Sequence, residues 1–250
     1  MSLLTVARDL QRRKARERSG RFVAEGVRTV EELLRSGLAV EGLLVSEPAR
    51  QQTRVTALLA DAEARGLAIT MVSERDFDSA AGTDAPQGVL AVASTPSWSL
   101  QALPAGPLRL LVLDALQDPG NVGTILRTAA AFDVSATIAL PGTVDLWNAK
   151  VVRSAMGSHF VHPTVSSTAD VLAPFLRERG IALWGADAAG IPIPELRVPA
   201  QWALAVGNEG AGLSPATQPM VTTTVALPIS PAVESLNVAV ATGILLFALR

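Results

Sequence analysis

Cysteine is absent from the 250 residues, and histidine occurs only as His159 and His162. A disulfide framework, a thiolate zinc site and iron–sulfur chemistry are thereby excluded, and no metal site is expected. An excess of one charge sign is missing too. The formal net charge is -2, so the whole-molecule field neither draws the chain to nucleic acid nor keeps it away. Any nucleic-acid-binding charge must be local. There is no long hydrophobic run: the start, MSLLTVARDLQRRKARERSG, turns basic at once, and the longest uncharged apolar stretch, 235–249, falls short of the ~18 residues of a membrane span. No membrane association is expected, and the expected location is the cytoplasm. Neither G-x-G-x-x-G nor G-x-x-x-x-G-K-[ST] occurs, which removes the best sequence support for NAD chemistry and for P-loop nucleotides.

Hydrophobic residues make up 49% of the chain, enough for a sizeable core in one large domain or two small ones. Residues 1–30 carry Arg8, Arg12, Arg13, Lys14, Arg16, Arg18, Arg21 and Arg28 against Asp9, Glu17 and Glu25. That surplus is a candidate phosphate-binding surface, although a solvated helix face would account for the same run. From 22 to about 92, the helical stretches GVRTVEELLRSG and QQTRVTALLADAEARG alternate with the apolar runs VEGLLVS, LAITMVS and GVLAVAS, which predicts a small layered α/β unit over 1–95. The Ser-, Pro- and Gly-rich segment 96–107 reads as a linker.

Beyond it, apolar runs at 108–113, 136–140, 181–185, 202–206 and 224–228 alternate with predicted helices at 121–132, 147–157, 168–179 and 235–249. The pattern predicts a mostly parallel, doubly covered sheet over 108–250. Ligands of such sheets lie beyond the carboxyl ends of the strands, so the loops after 113, 185, 206 and 228 are where chemistry is expected.

Four constellations occupy this half. In LDALQDPGNVGTILRTAAAF, a turn places Asn121 as the expected helix cap and Arg127 two turns inward, where a phosphate or developing oxyanion could meet it. In LWNAKVVRSAMGSHFVHP, Lys150, Arg153 and Ser154 share one face of a helical turn, suited to a backbone phosphate, whereas His159 and His162 read as structural. The loop AVGNEGAGLSPA sets three glycines around Asn208 and Glu209, letting backbone amides approach a ligand. Finally, ALPISPAVESLNVAVATGILLFALR crowds Glu234, Ser235 and Asn237 at the start of a helix apolar on every side, which implies burial, partly against a second subunit.

Taken in order, NVGTILRTA, KVVRSAMG, GNEGAGLS and ESLNVAVATGI resemble the signature motifs of the SpoU (TrmH) branch of the SPOUT superfamily, the RNA ribose 2'-O-methyltransferases. RERSGRFVAEGVRTVEELLRSG and DAPQGVLAV are similar to the family's auxiliary L30e-like RNA-binding module. The resemblance runs from about residue 10 to the C-terminus. It implies a SPOUT-type parallel sheet with a deep trefoil knot, S-adenosylmethionine as cofactor, and a homodimer whose site is completed across the interface. Carried over, it implies cofactor binding around Gly185, Val206, Gly207, Asn208, Gly210, Leu227, Ile229, Ser235 and Leu236. The implied catalytic set is Asn121, Arg127, Glu209, Ser235 and Asn237. RNA contacts fall to Arg12, Arg13, Lys14, Arg16, Arg18, Arg21, Lys150 and Arg153. One departure is the Pro231-Ala232 turn, where relatives often carry glycine.

The implied reaction needs a ribose hydroxyl held in line with an electrophilic methyl and relieved of its proton. Guanidinium keeps its proton, with a pKa above ~12, so Arg127 is expected to clamp phosphate and stabilise the alkoxide. Glu209 or an RNA phosphate is then the proton acceptor, with Asn121 and Asn237 orienting the nucleotide and Ser235 supporting the cofactor loop. Ribosomal RNA, 23S in particular, is the expected substrate. Transfer RNA, or a non-catalytic RNA-binding role for the same fold, is the alternative.

Overall fold

The computed structural model describes residues 1–83 and 85–250. Asp84, which opens the DAPQGVLAV motif, lies outside the described residues. Contacts divide the chain into two compact units, 1–97 with 145–161, and 98–144 with 162–250.

The first unit begins with α1 (Leu3–Asp9) and α2 (Arg13–Ser19), then β1 (Arg21–Glu25), α3 (Val27–Arg35), β2 (Val40–Ser46), α4 (Thr53–Ala64), β3 (Ala68–Val72), α5 (Glu74–Asp78) and β4 (Val89–Ser94). The sheet order is β1-β4-β2-β3, with β4 antiparallel to both neighbours and β2 parallel to β3. Helix α3 forms because Val27, Val30, Leu33 and Leu34 recur on one face and all become buried, leaving Glu31, Glu32 and Arg35 outward. The chain turns out of it through Gly37, whose φ of 78° favours glycine.

The second unit contains β5 (Arg109–Leu113), α6 (Pro119–Ala131) and β6 (Ala136–Ala139). After β6 the chain leaves this unit for α7 (Ala149–Ser154), which packs with the first. It returns for β7 (Thr164–Ser166), α8 (Ala169–Glu178), β8 (Leu183–Pro192), β9 (Trp202–Val206), β10 (Val221–Ala226) and α9 (Val238–Ala248). The order β10-β8-β9-β5-β6-β7 is parallel throughout. Its central strands are unbroken apolar runs because both faces are covered: every residue of β9 is buried.

Two expectations need correction. The contiguous division at 96–107 fails where 145–161 joins the first unit: Val152 and Phe160 enter that unit's core, and Phe160 and Trp147 pack on Phe22 at ring separations of 5.8 and 4.5 Å. The predicted linker is not free chain, since Leu100 and Leu103 are buried in the core of the second unit. Within the single chain, Val240, Ile244 and Phe247 of α9, at spacings of four and three, are about half exposed. Among the described residues, no helix is long and apolar enough to cross a membrane.

Candidate active site

The carboxyl ends of β9 and β10 and the middle of β8 border a cavity of about 230 Å³ in the second unit. Its walls come from the chain after β9 (Val206, Gly207, Asn208, Glu209), from β8 (Ala186, Asp187, Ala188) and from the segment joining β10 to α9 (Leu227, Ile229, Glu234, Ser235, Leu236). Thr242 and Leu245 of α9 close it.

The glycine loop is built by its own side chains. Asn208 and Gly212 exchange backbone hydrogen bonds of 3.0 and 2.8 Å, while the Asn208 side chain accepts from the amides of Gly210 and Ala211 and donates to the Ala115 carbonyl at 3.2 Å. At Gly207, a Cβ would stand 2.3 Å from the Gly212 carbonyl carbon, so no other residue fits unless the loop opens. The far side is pinned by Asp114, a buried carboxylate at the end of β5 that accepts the Ser214 amide at 2.7 Å. Anchored at both ends, the loop presents Glu209 at its tip.

Asn121 does not cap α6. Asp118 does, accepting the Asn121 amide at 2.6 Å, because Pro119 takes the first helical position, where its missing N–H costs nothing. The Asn121 side chain is thereby released toward the site. Its Nδ2 donates to Glu209 at 2.9 Å, and its Oδ1 accepts from Asn237 Nδ2 at 3.0 Å. Asn237 is itself the cap of α9, its Oδ1 taken by the amides of Ala239 and Val240. That cap fixes the polarity of the whole chain: with Asn237 Oδ1 occupied, its amide nitrogen must face Asn121, whose own nitrogen then faces Glu209. The carboxylate is left with an oxygen free to accept a proton from a ligand.

Val206, Gly207, Asn208, Leu227, Ile229, Ser235 and Leu236 line the cavity. Gly185 and Gly210 do not. Gly185 packs behind it, where a Cβ would come within 2.9 Å of Leu213, and Gly210 lies in the outer turn of the loop. Arg127 is exposed on α6, lies outside the cavity wall, and forms no hydrogen bond or ion pair among the described residues. Sequence reasoning missed Asp114, Asp118 and Asp187. The first two had a signal, an acid ending an apolar strand and an acid preceding proline. Asp187 had none, since β8 continues through the small residues GADAAG.

The predicted RNA-binding residues all lie in the first unit, and they differ among themselves. Arg16 is buried, not available to RNA: it ion-pairs with Asp145 at 2.5 Å and donates to the carbonyls of Leu10 and Gln11 at 2.6 and 3.0 Å. Arg12 and Arg18 pair with Asp9, Arg13 with Glu17, and Arg21 with Glu41. The bond that Arg13 donates to Glu17 raises its pKa further. Lys14 is exposed. Arg153 donates to Thr83 at 2.6 Å and lies 3.7 Å from the fully buried Glu25. Lys150 is half-buried in the first turn of α7, its amide held by Asn148. In the second unit, burial lowers the His162 pKa to about 4, and its Nε2 meets the Thr137 hydroxyl at 2.8 Å, a structural setting.

The cavity suits an elongated cation with an apolar body. Val206, Leu227, Ile229, Leu236 and Leu245 provide apolar wall, Asp187, Glu209 and Glu234 provide carboxylates, and no lysine or arginine lines it. S-adenosylmethionine, a sulfonium with an adenine ring, fits that donor set.

Comparisons with known proteins agree with this geometry. Residues 109–247 match the SpoU rRNA Methylase family, and residues 5–91 match the MRM3-like substrate binding domain. The chain is 37% identical over 242 residues to the 23S rRNA (guanosine(2553)-2'-O)-methyltransferase RlmP of Bacillus subtilis, covering 96% of this chain and 93% of the relative. The SpoU methyltransferase AviRb from Streptomyces viridochromogenes, solved with AdoMet, superposes with a TM-score of 0.86 at 27% identity, covering 100% of this chain and 97% of that one. An AdoMet-bound rRNA methyltransferase from Sinorhizobium meliloti gives 0.83 at 29%, covering 100% and 96%. Fold, motifs and cavity together place the chain in the SpoU rRNA methylase family.

Proposed function

We infer that the chain transfers a methyl group from S-adenosylmethionine to a ribose 2'-hydroxyl of ribosomal RNA, with 23S RNA the preferred substrate. The observation that carries this reading is the chain Asn237–Asn121–Glu209, which orients an acceptor carboxylate at the rim of a cavity fit for the cofactor. The relatives favour ribosomal over transfer RNA.

When bound, the cofactor supplies an electrophilic methyl on sulfur. Val206, Leu227, Ile229 and Leu236 hold its apolar body, the loop around Gly207 and Asn208 offers backbone groups, and Ser235 lines the wall beside Leu236. Glu209 takes the proton of the ribose hydroxyl, and Asn121 with Asn237 keeps that carboxylate in place. Arg127 clamps the adjacent RNA phosphate and stabilises the developing alkoxide, a task suited to a guanidinium that carries no partner of its own.

Since Arg127 lies outside the cavity, the site is completed by a second copy of the chain. The half-exposed Val240, Ile244 and Phe247 of α9, beside a shallow hollow formed with Thr128 and Phe132 of α6, supply an apolar surface for that homodimer. The segment between β9 and α9 is proposed to be threaded as the trefoil knot, the first unit to hold RNA, and the protein to act in the cytoplasm.

Incubation with radiolabelled S-adenosylmethionine and separate pools of unmodified ribosomal and transfer RNA, followed by nucleoside analysis, tests the reading. A labelled 2'-O-methyl nucleoside from the ribosomal pool is expected. Label confined to transfer RNA would reassign the substrate, and cofactor binding without transfer to either pool would overturn the enzymatic reading.

A further inference from the structure

A second hollow, of about 520 Å³, lies wholly within the first unit. Two helices begin at its edge. Val27, Arg28 and Thr29 are the first turn of α3, and Gln52 and Arg54 flank the start of α4. Neither helix has a cap from its own N-terminal residue, so first-turn amides other than that of Val27 lack the side-chain acceptor a cap usually supplies. Gly26, with φ of 98°, makes the turn from β1 into α3, and a Cβ there would stand 2.9 Å from Gln87 Oε1, which accepts the Val27 amide.

The side chains around the hollow divide by whether they are already engaged. Arg54 is held by Glu31 through two bonds of 2.8 and 2.6 Å, and Arg153 by Thr83 beside Glu25. The bond from Arg54 also lowers the Glu31 pKa. Arg28, by contrast, is exposed and makes no hydrogen bond or ion pair among the described residues. Thr29 is only 3% exposed, lines the hollow, and its hydroxyl has no partner among the described residues. That hydroxyl is therefore open to whatever enters the hollow. Gln52, and the amide nitrogen of Gln87, are likewise without partners among the described residues.

A free cation, a hydroxyl open to the hollow and two helix amino ends suit an anion, and the two glutamine amides suit the polar edge of a base. The volume falls in the ~300–1,000 Å³ range of small-molecule sites, larger than one phosphate requires. We propose that this hollow receives one unpaired nucleotide of the RNA substrate, its phosphate on Arg28, Thr29 and the first turn of α3, and its base edge on Gln52 and Gln87. The proposal rests on the reading of the chain as an RNA methyltransferase and assigns the first unit a specific contact instead of a diffuse basic face.

The test is filter binding of unmodified ribosomal RNA across a salt series, with methyl transfer at saturating RNA and S-adenosylmethionine affinity measured in parallel. Arg28→Ala is expected to weaken RNA binding about tenfold and to reduce the slope of log K against log salt by about 1. Thr29→Val should weaken it about threefold to fivefold with the slope unchanged, and Thr29→Ser, which keeps the hydroxyl, should restore it. Cofactor affinity and turnover at saturating RNA should stay within about twofold, because neither residue belongs to the catalytic unit. Should Thr29→Val fail to fold, Arg28→Ala decides alone, since its side chain is exposed. A wild-type chain that methylates RNA, with RNA affinity and salt slope unchanged in the variants, would overturn the pocket and leave the enzyme standing. A wild-type chain that neither binds RNA nor transfers methyl would overturn both.

Discussion

The basic stretch of residues 8–21 and the site at the start of α9 handle polar groups in opposite ways. In the first, each arginine is neutralised by a single carboxylate, near in sequence for Arg12 and Arg18 on Asp9 and for Arg13 on Glu17, distant for Arg8 on Asp76 and for Arg16, turned inward on Asp145. In the second, Asn121, Glu209 and Asn237, separated by up to 116 positions, are brought into one hydrogen-bonded chain. A dense run of arginines thus spends much of its charge internally, whereas sparse polar residues gathered by the sheet end with an open acceptor. Unpaired groups, more than local charge density, mark where a ligand can act.

The sharpest way to break that contrast is inside the basic stretch. Arg16→Ala leaves Asp145 without its arginine and two carbonyls without a donor, and is expected to lower unfolding free energy by about 3–5 kcal/mol in urea melts. A melt unchanged from wild type would show that Arg16 is as dispensable as its neighbours. Next comes Arg127→Lys, which keeps the charge but loses the fork. Single-turnover methyl transfer should fall on the order of 10²–10³-fold with cofactor affinity intact, and near wild-type turnover would remove Arg127 from the clamp role.

The buried interior of the second unit extends the comparison to pH. Folded His162 titrates at about 4, against 6.5 for the free side chain. Between those values the unfolded chain binds a proton that the folded one refuses, so stability is complete above pH ~6.5 and declines as pH falls toward 4, by up to about 3 kcal/mol. Urea unfolding at pH 7.5 and 4.5 should differ more for wild type than for His162→Gln, and equal differences would contradict the assignment. The smallest effect belongs to the exposed arginines: Arg12→Ala and Arg18→Ala should each change stability by less than about 0.5 kcal/mol, and a larger loss in either would mean its pairing with Asp9 is structural.

Much of this was legible in the sequence because it depends on local pattern. Buried parallel strands must be continuous apolar runs, so β5, β6 and β9 could be read directly. Strand β1 escaped because RFVAE is charged at both ends, β7 because it is three residues long, and the extension of β8 because GADAAG has no apolar period. Most of the residues lining the cavity followed from the family motifs, but Asp187 had no motif to announce it. Helix α7 shows a limit of another kind. Its polar face was read for phosphate, but nothing in its residues states which core receives the opposite side, and Val152 joins that of the first unit. The same gap hid the hollow at α3, which draws Arg28 and Arg153 together from positions far apart in the chain.

The excursion of 145–161 also bears on how such a protein can be inherited or dissected. Because the first unit is completed by a piece inserted into the second, cutting the gene near residue 97 does not free a self-sufficient catalytic half. It would strand Trp147, Val152 and Phe160 without the surface they cover, creating a sticky, protease-sensitive fragment. A lineage could exchange its RNA-holding unit for another only by rewriting this internal piece as well, so the two parts are constrained to evolve as a pair.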